Sequence, residues 1–314
     1  MVLSPRSLPY ARLALESLYR NCKDQFSLCL ITDSQDDVIH LDAELKSLGY
    51  QENAPNRAVA IYGETDLTDL EEEKFGKFQN IRSFRRGHPC WRKITDPILL
   101  SDVHEEMVVL DPDLYFPNRF RFELTPEKGV LLMWQRPSCL LPPDVVDAAM
   151  RANIALAHHT DIGVAQWRLP IDLEWLDWLI GKLGSSQLPR SMHVESIIWA
   201  ALAMRRGGGY LDPKRWLCWH RSQYKRILRK LGISGPQILK KESFGGVKCF
   251  HAGGEAKWWL VDAHKLGILD YREDVIGFSG RKPYQELTPS EYHALQRNRR
   301  WLRKLGYYSI FNDA

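Results

Sequence analysis

Residues 107–117 read Met107-Val108-Val109-Leu110-Asp111-Pro112-Asp113-Leu114-Tyr115-Phe116-Pro117. Four apolar residues, Met107 to Leu110, have the length and composition of a short strand buried on both faces. Asp111 and Asp113 follow at its C-terminal end, where open α/β sheets bind their ligands. Two carboxylates one residue apart, on a chain leaving a strand, can hold a hard divalent cation from one side. Such a cation usually keeps several waters and takes phosphate oxygens as its remaining ligands. The stretch therefore reads as a metal and diphosphate site. A solvated turn is the plainer alternative, since Asp and Pro are both common turn residues. This is the one Asp-x-Asp in the sequence.

Around it the apolar runs alternate. Ser7–Asn21 has helical spacing at Leu8, Ala11, Leu15 and Leu18. A buried strand is expected at Phe26–Thr32, a helix over Asp36–Leu48 closing at Gly49, and a strand at Arg57–Tyr62. This order predicts βαβ units, and hence an α/β fold with a mostly parallel central sheet flanked by helices. The chain seen this way begins on a helix: either the first strand of such a fold is absent, or the sequence starts downstream of it.

Further helices are expected at Leu67–Gln79, Trp91–Val103 (with Pro97 disturbing it), Asp144–Ala157, Leu173–Leu183 and Val194–Met204. Strands are expected at Gly129–Trp134, at Thr160–Gln166 with a bend at Gly163, at Tyr210, and at Val247–His251. Gly207–Gly209 lacks the Gly-Lys-Ser/Thr of a phosphate-binding loop and reads as a helix stop. The expected organisation is one domain over residues 1–260 and a helical C-terminal extension over 261–314. In the extension, Glu291–Leu305 is a basic amphipathic helix, with Arg297, Arg299, Arg300, Arg303 and Lys304 opposite Tyr292, Leu295, Leu302 and Leu305. It is either an ordinary terminal helix with a solvated face or a peripheral contact with an anionic membrane.

Bulk properties narrow the function classes. The 314 residues, 44% hydrophobic and 26% charged, are enough for a large buried core. A formal charge of +4, with no zinc-finger spacing or long basic run, gives no case for a nucleic-acid partner. Six scattered cysteines without a Cys-x-x-Cys pair imply neither a zinc site nor a disulfide scaffold, and suit a cytoplasmic setting. No apolar run approaches the roughly 20 residues that cross a bilayer, and no signal-peptide layout is visible.

A second motif lies far downstream. His251 ends a strand, Gly253-Gly254 lets backbone approach a ligand, and Lys257 can neutralise a phosphate. His251 can offer a neutral imidazole to a metal. His251-x-x-Gly254-x-x-Lys257-x-Trp259 resembles the C-terminal motif of the family-8 glycosyltransferases, the glycogenin-like and lipopolysaccharide galactosyltransferase-like enzymes. Their usual form is His-x-x-Gly-x-x-Lys-Pro-Trp, and Trp258 stands here in the place of Pro. Asp111-Pro112-Asp113 resembles their Asp-x-Asp, and the likeness spans most of the chain.

The resemblance implies a GT-A-like, nucleotide-diphospho-sugar transferase fold and a metal-dependent glycosyltransferase of hexosyltransferase type. It implies Mn²⁺ or Mg²⁺ held by Asp111, Asp113 and His251, with the diphosphate held by Lys257 and the amide of Gly254. Asp111 would lie nearest the ribose and donor sugar. A basic residue on the preceding helix, Lys93 or else Arg92, would reach the diphosphate. Thr160-Asp161-Ile162-Gly163-Val164 resembles the family's Asn-x-Gly-Val strand, which makes Asp161 a candidate sugar-hydroxyl ligand. Glu195 stands where the family has an acidic or amide residue beside the reacting carbon. The donor would be a UDP- or GDP-sugar, the acceptor a sugar or glycan, and the anomeric configuration would be retained. For an inverting enzyme, Asp161 or Glu195 would be the candidate base. Trp134, Trp167, Trp216 and Trp219 are candidate acceptor-stacking surfaces, with core packing the default for each. A non-catalytic binding protein on the same fold and a nucleotidyltransferase are the competing classes.

Overall fold

The structure is a computed structural model and describes residues 1–47, 58–220, 222–269 and 273–307. The strands are β1 (Leu28–Ile31), β2 (Val59–Tyr62), β3 (Glu106–Leu110), β4 (Leu114–Tyr115), β5 (Arg119–Phe120), β6 (Val130–Trp134), β7 (Thr160–Arg168), β8 (Gly208–Tyr210), β9 (Trp216–Cys218), β10 (Cys249–His251) and β11 (Asp274–Val275). The α-helices are α1 (Leu8–Asn21), α2 (Gln35–Ser47), α3 (Thr68–Phe75), α4 (Gln79–Arg85), α5 (Arg92–Leu100), α6 (Pro143–Arg151), α7 (Leu173–Leu183), α8 (Val194–Arg206), α9 (Gln223–Lys230), α10 (Gly235–Leu239), α11 (Ala256–Lys265) and α12 (Pro289–Lys304).

The α/β class holds, but the sheets are mixed rather than mostly parallel. The largest has the order β3-β7-β6-β8. Its longest strand, β7, runs antiparallel to both β3 and β6, while β6 and β8 are parallel. β1 and β2 form a parallel pair, and β10 lies between β4 (antiparallel) and β9 (parallel). Apolar runs such as Val130–Met133 and Val164–Ala165 are buried on both sides. A continuous apolar run is what a parallel strand shows, yet here α5 and α8 cover one face of antiparallel strands and the core of α1, β1 and Trp216 the other, producing the same pattern.

Helices α5, α7 and α8 pack on β3, β6 and β7 around Ile94, Trp167, Leu176, Ile197 and Trp199. Helix α1 and β1 pack with Leu110, Phe116 and Trp216 into a second core. α10 and α11 close a third against Phe244 and Phe250. Trp167, Trp216 and Trp219 are buried packing residues rather than stacking surfaces, while Trp134 is half-buried.

Several expected boundaries move. The helix expected at Leu67–Gln79 ends at Phe75 as α3, and after a break at Gly76–Phe78 a separate helix, α4, begins at Gln79. The helix expected to run to Ala157 stops at Arg151, and Asn153 then takes a left-handed backbone (φ 54°) that no helix continues. α11 runs through the boundary expected at 260, and Leu287 and Tyr292 of the expected extension belong to the main core. Ahead of Ser7, Val2 bridges Ile31 in parallel fashion and Pro5–Ser7 form a 3-10 turn. Leu48, Gly49 and Arg57, expected to end a helix and begin a strand, lie outside the described residues. No helix is long and apolar enough to cross a membrane among the described residues.

Candidate metal centre

The acid pair and the distant imidazole meet because of a short ladder. After Asp113 the chain enters β4, and β10 pairs with it so that His251 faces Leu114 and Phe250 faces Tyr115. The amide of Ala252 donates to the carbonyl of Asp113 at 2.9 Å, which locks the two motifs side by side. The His251 Nε2 atom is then 3.3 Å from Asp113 Oδ1 and 3.8 Å from Asp111 Oδ2. One ligand atom from each of Asp111, Asp113 and His251 lies within 4.8 Å of the others.

The other ring nitrogen is held from behind. Nδ1 of His251 is 2.8 Å from Asp161 Oδ1, and that oxygen also accepts the amide of Gly163 at 2.9 Å. Asp161 reaches this position through an irregularity: the β6–β7 register shifts between Leu132, opposite Ala165, and Met133, opposite Asp161. Gly163 is required here because a Cβ at that position would lie 2.6 Å from the His251 ring. A carboxylate on Nδ1 fixes the tautomer and aims Nε2, as carboxylates behind metal-binding histidines do. Asp161, the candidate sugar-hydroxyl ligand of the motif comparison, is thus in contact with the His251 ring.

Lys93, from the first turn of α5, is buried with its ammonium 2.5 Å from Asp111 Oδ1 and 2.8 Å from Glu195 Oε1. Glu195 opens α8, and its Oε2 is buried without a hydrogen-bond partner. Arg92, the alternative basic residue, turns away; it donates to the Thr32 carbonyl at 2.7 Å and pairs with Asp33. Lys257 stands at the open side of the cluster, with its Nζ 4.9 Å from the centre of the Tyr10 ring. Gly254 is exposed and left-handed (φ 67°), a backbone that other residues adopt with strain. Tyr10, which carried no motif, supports this corner: Trp258 meets it edge-on at 5.1 Å.

The electrostatics are those of an acid-rich pocket. Burial works against a charged His251, but Asp161 and Asp113 outweigh it and hold the imidazole pKa well above its ordinary value. Burial alone would raise the Asp113 pKa; His251 and Lys257 instead bring it down to about 2. Asp161 is also lowered, its burial outweighed by His251. Burial raises Asp111 despite Lys93, and raises Glu195 to about 8. Near neutrality Glu195 is therefore largely protonated. Lys93, the His251 imidazole with its raised pKa and Lys257 face the carboxylates of Asp111, Asp113 and Asp161. A second candidate group, Asp161, Cys218 and His251, shares the ring. It fits a metal less well, because Nδ1 is already taken and burial raises the Cys218 thiol far out of its ionising range.

The sequence matches no protein-family model and no curated protein.

Proposed function

We propose that this protein is a metal-dependent glycosyltransferase with a GT-A-like fold, moving a hexose from a UDP- or GDP-sugar to a sugar or glycan hydroxyl with retention. The observation that carries the reading is the convergence of Asp111, Asp113 and His251 Nε2, with Asp161 behind the ring. Two carboxylates and one imidazole suit Mn²⁺ or Mg²⁺. When bound, the cation would draw charge from the departing diphosphate.

The remaining work falls to the chain itself. Lys257 and the amide of Gly254 hold the diphosphate at the open side. Lys93 holds Asp111 in place and keeps Glu195 beside it. Glu195, a neutral acid near pH 7, donates a hydrogen bond on the donor-sugar side, while Asp161 keeps Nε2 of His251 aimed forward. The exposed Arg297, Arg300 and Arg303 of α12, with Trp301 and Leu305 also exposed, support a peripheral contact with an anionic membrane.

The test is a panel of nucleotide sugars incubated with the protein and Mn²⁺. Release of a nucleoside diphosphate, abolished by chelation, supports the reading. Release of pyrophosphate would favour a nucleotidyltransferase. Binding of a nucleotide sugar with no turnover under any acceptor would favour a non-catalytic binding protein.

A further inference from the structure

Helix α9 is turned inside out. Ser222 caps it, its hydroxyl accepting the Lys225 amide at 3.3 Å, and none of its residues is buried. Three of its cations turn toward the protein and sit on aromatic rings. The Lys225 ammonium lies 4.0 Å from the centre of the Trp219 ring and pairs with Glu242 at 2.6 Å. The Arg229 guanidinium lies 5.1 Å from the Trp259 ring and donates to the Ile233 carbonyl at 3.0 Å. Arg226 lies 5.6 Å from the Tyr307 ring and donates to its hydroxyl at 3.1 Å. Leu228 packs on the third core.

The other apolar residues point outward. Tyr224, Ile227 and Leu231 follow at spacings of three and four and are 59%, 44% and 72% exposed, so this apolar stripe faces solvent. A surface helix of a globular protein ordinarily turns its apolar stripe to the core. A stripe turned the other way marks a contact with something else.

The charge around the stripe has one sign. Residues 213–241 include nine Lys and Arg and no Asp or Glu. Lys230, Lys240 and Lys241 are exposed, and the Lys241 ammonium lies 5.6 Å from the Tyr224 ring. The C-terminal end of α12 adjoins α9 through Tyr307, which donates to Gln223 as well as accepting from Arg226. That end is also acid-free, and Trp301 and Leu305 there are exposed. A second copy of the chain is a poor occupant, because stripe against stripe would bring like charges together. A soluble anion would answer the lysines and leave the stripe uncovered.

We propose that α9 lies in the surface of an anionic lipid bilayer, with Tyr224, Ile227 and Leu231 at the boundary of headgroups and acyl chains and the exposed lysines on lipid phosphates. The ring-bound Lys225, Arg226 and Arg229 hold the helix with its apolar stripe outward. Tyr224 suits the position, since its ring is apolar and its hydroxyl stays at headgroup level. The inference deepens the membrane contact read above from α12 by making α9 the inserting element, and it uses no part of the proposed reaction.

The experiment is flotation of the whole protein, without Mn²⁺ or nucleotide sugar, on vesicles of phosphatidylcholine alone and of phosphatidylcholine and phosphatidylglycerol in equal parts. The protein is expected to float with the mixed vesicles and not with phosphatidylcholine. Replacing the stripe, Tyr224→Ser with Ile227→Ser and Leu231→Ser, is expected to lower the partition coefficient by roughly tenfold or more at unchanged Tm. Replacing the lysines, Lys230→Gln with Lys240→Gln and Lys241→Gln, is expected to lower it by roughly 10²-fold. A protein that does not float with the mixed vesicles, or a stripe variant that floats like the parent, overturns the proposal. So does a loss confined to Trp301→Ala with Leu305→Ala, which would leave the contact to α12, or a dimer in sedimentation that the stripe variant dissociates. Donor cleavage is measured without vesicles, so the membrane reading and the transferase reading fail separately.

Discussion

Two buried clusters of charge, built from neighbouring helices, differ in one respect that separates structure from chemistry. In the first, Arg85 lies between Glu71 (2.5 Å) and Asp96 (2.8 Å) and also donates to the Glu64 carbonyl at 3.2 Å. Asp96 accepts the Thr95 hydroxyl, and Glu71 accepts Arg82 and Arg86 as well. Burial alone would lower the Arg85 pKa, but Asp96 and Glu71 outweigh it and raise it. Protein groups balance every charge there. In the second cluster, Asp111, Asp113, Asp161 and Glu195 surround Lys93 and His251, and a carboxyl oxygen of Glu195 has no hydrogen-bond partner. A cluster that closes on itself staples α3, α4 and α5 together. The other gathers Asp111, Asp113 and Asp161 around one imidazole, with an oxygen of Glu195 left without a partner.

The contrast breaks most sharply at Arg85. Arg85→Ala leaves Glu71 and Asp96 buried without their shared cation, a change that typically costs about 3–5 kcal/mol. Denaturant unfolding is expected to show a loss of that size, with donor cleavage per folded molecule unchanged. A loss below about 1 kcal/mol would remove the distinction drawn here. Asp113→Ala should do the reverse. It is expected to lower Mn²⁺-dependent donor cleavage by roughly 10²–10³-fold, with a smaller stability loss than Arg85→Ala because His251 keeps Asp161 as a partner. Retained cleavage would count against the metal centre itself.

Much of the second cluster was legible before any coordinates, and the reasons are local. Asp111 and Asp113 stand out because acids rarely follow so apolar a run, and His251, Gly254 and Lys257 share one short window. What brings them together was not legible. β4 is two residues long and β10 three, too short to show a period. The task of Asp161 depends on a register shift, which no residue pattern announces. The first cluster was missed altogether: the expected charged helix ends at Gln79, and no element was expected over the rest of α4, which carries Arg85. Burial of an Arg is set by what packs over it, here α5, and not by its own neighbours in sequence. Strand direction was misjudged for a similar reason: coverage of both faces, not orientation, makes a strand apolar throughout.

Asp161 sharpens the comparison further. Asp161→Asn keeps the size of the side chain and removes its charge, so the amide can still meet Nδ1 but no longer favours the tautomer with Nε2 free. Mn²⁺ affinity is expected to fall about 10–100-fold, as for other partners behind a metal-binding histidine. Titration calorimetry with Mn²⁺ alone measures this without any donor. An unchanged affinity would return Asp161 to the role of sugar ligand.

The gentlest test is pH. Without metal, His251 has a pKa held well above its ordinary value by Asp161 and Asp113. Its contribution to folding stability is fully present below its unfolded pKa of about 6.5 and is lost as pH rises through the folded pKa. The metal requires the neutral ring at Nε2, so proton and cation compete. Mn²⁺ affinity should therefore rise about tenfold per pH unit until the folded His251 pKa is passed, with close to one proton released per ion below it. Asp113, at about 2, does not enter this window. The two trends run in opposite directions: the metal-free protein loses stability with rising pH, and the stabilisation by Mn²⁺ grows over the same range. Arg85, whose pKa Asp96 and Glu71 raise, keeps its charge across that interval, so Arg85→Ala should shift both curves down without bending either. Mn²⁺ binding that is flat from pH 6 to 8, or that releases no proton, would mean that His251 is not the ligand and that its proton belongs to an ion pair of the same closed kind as Arg85.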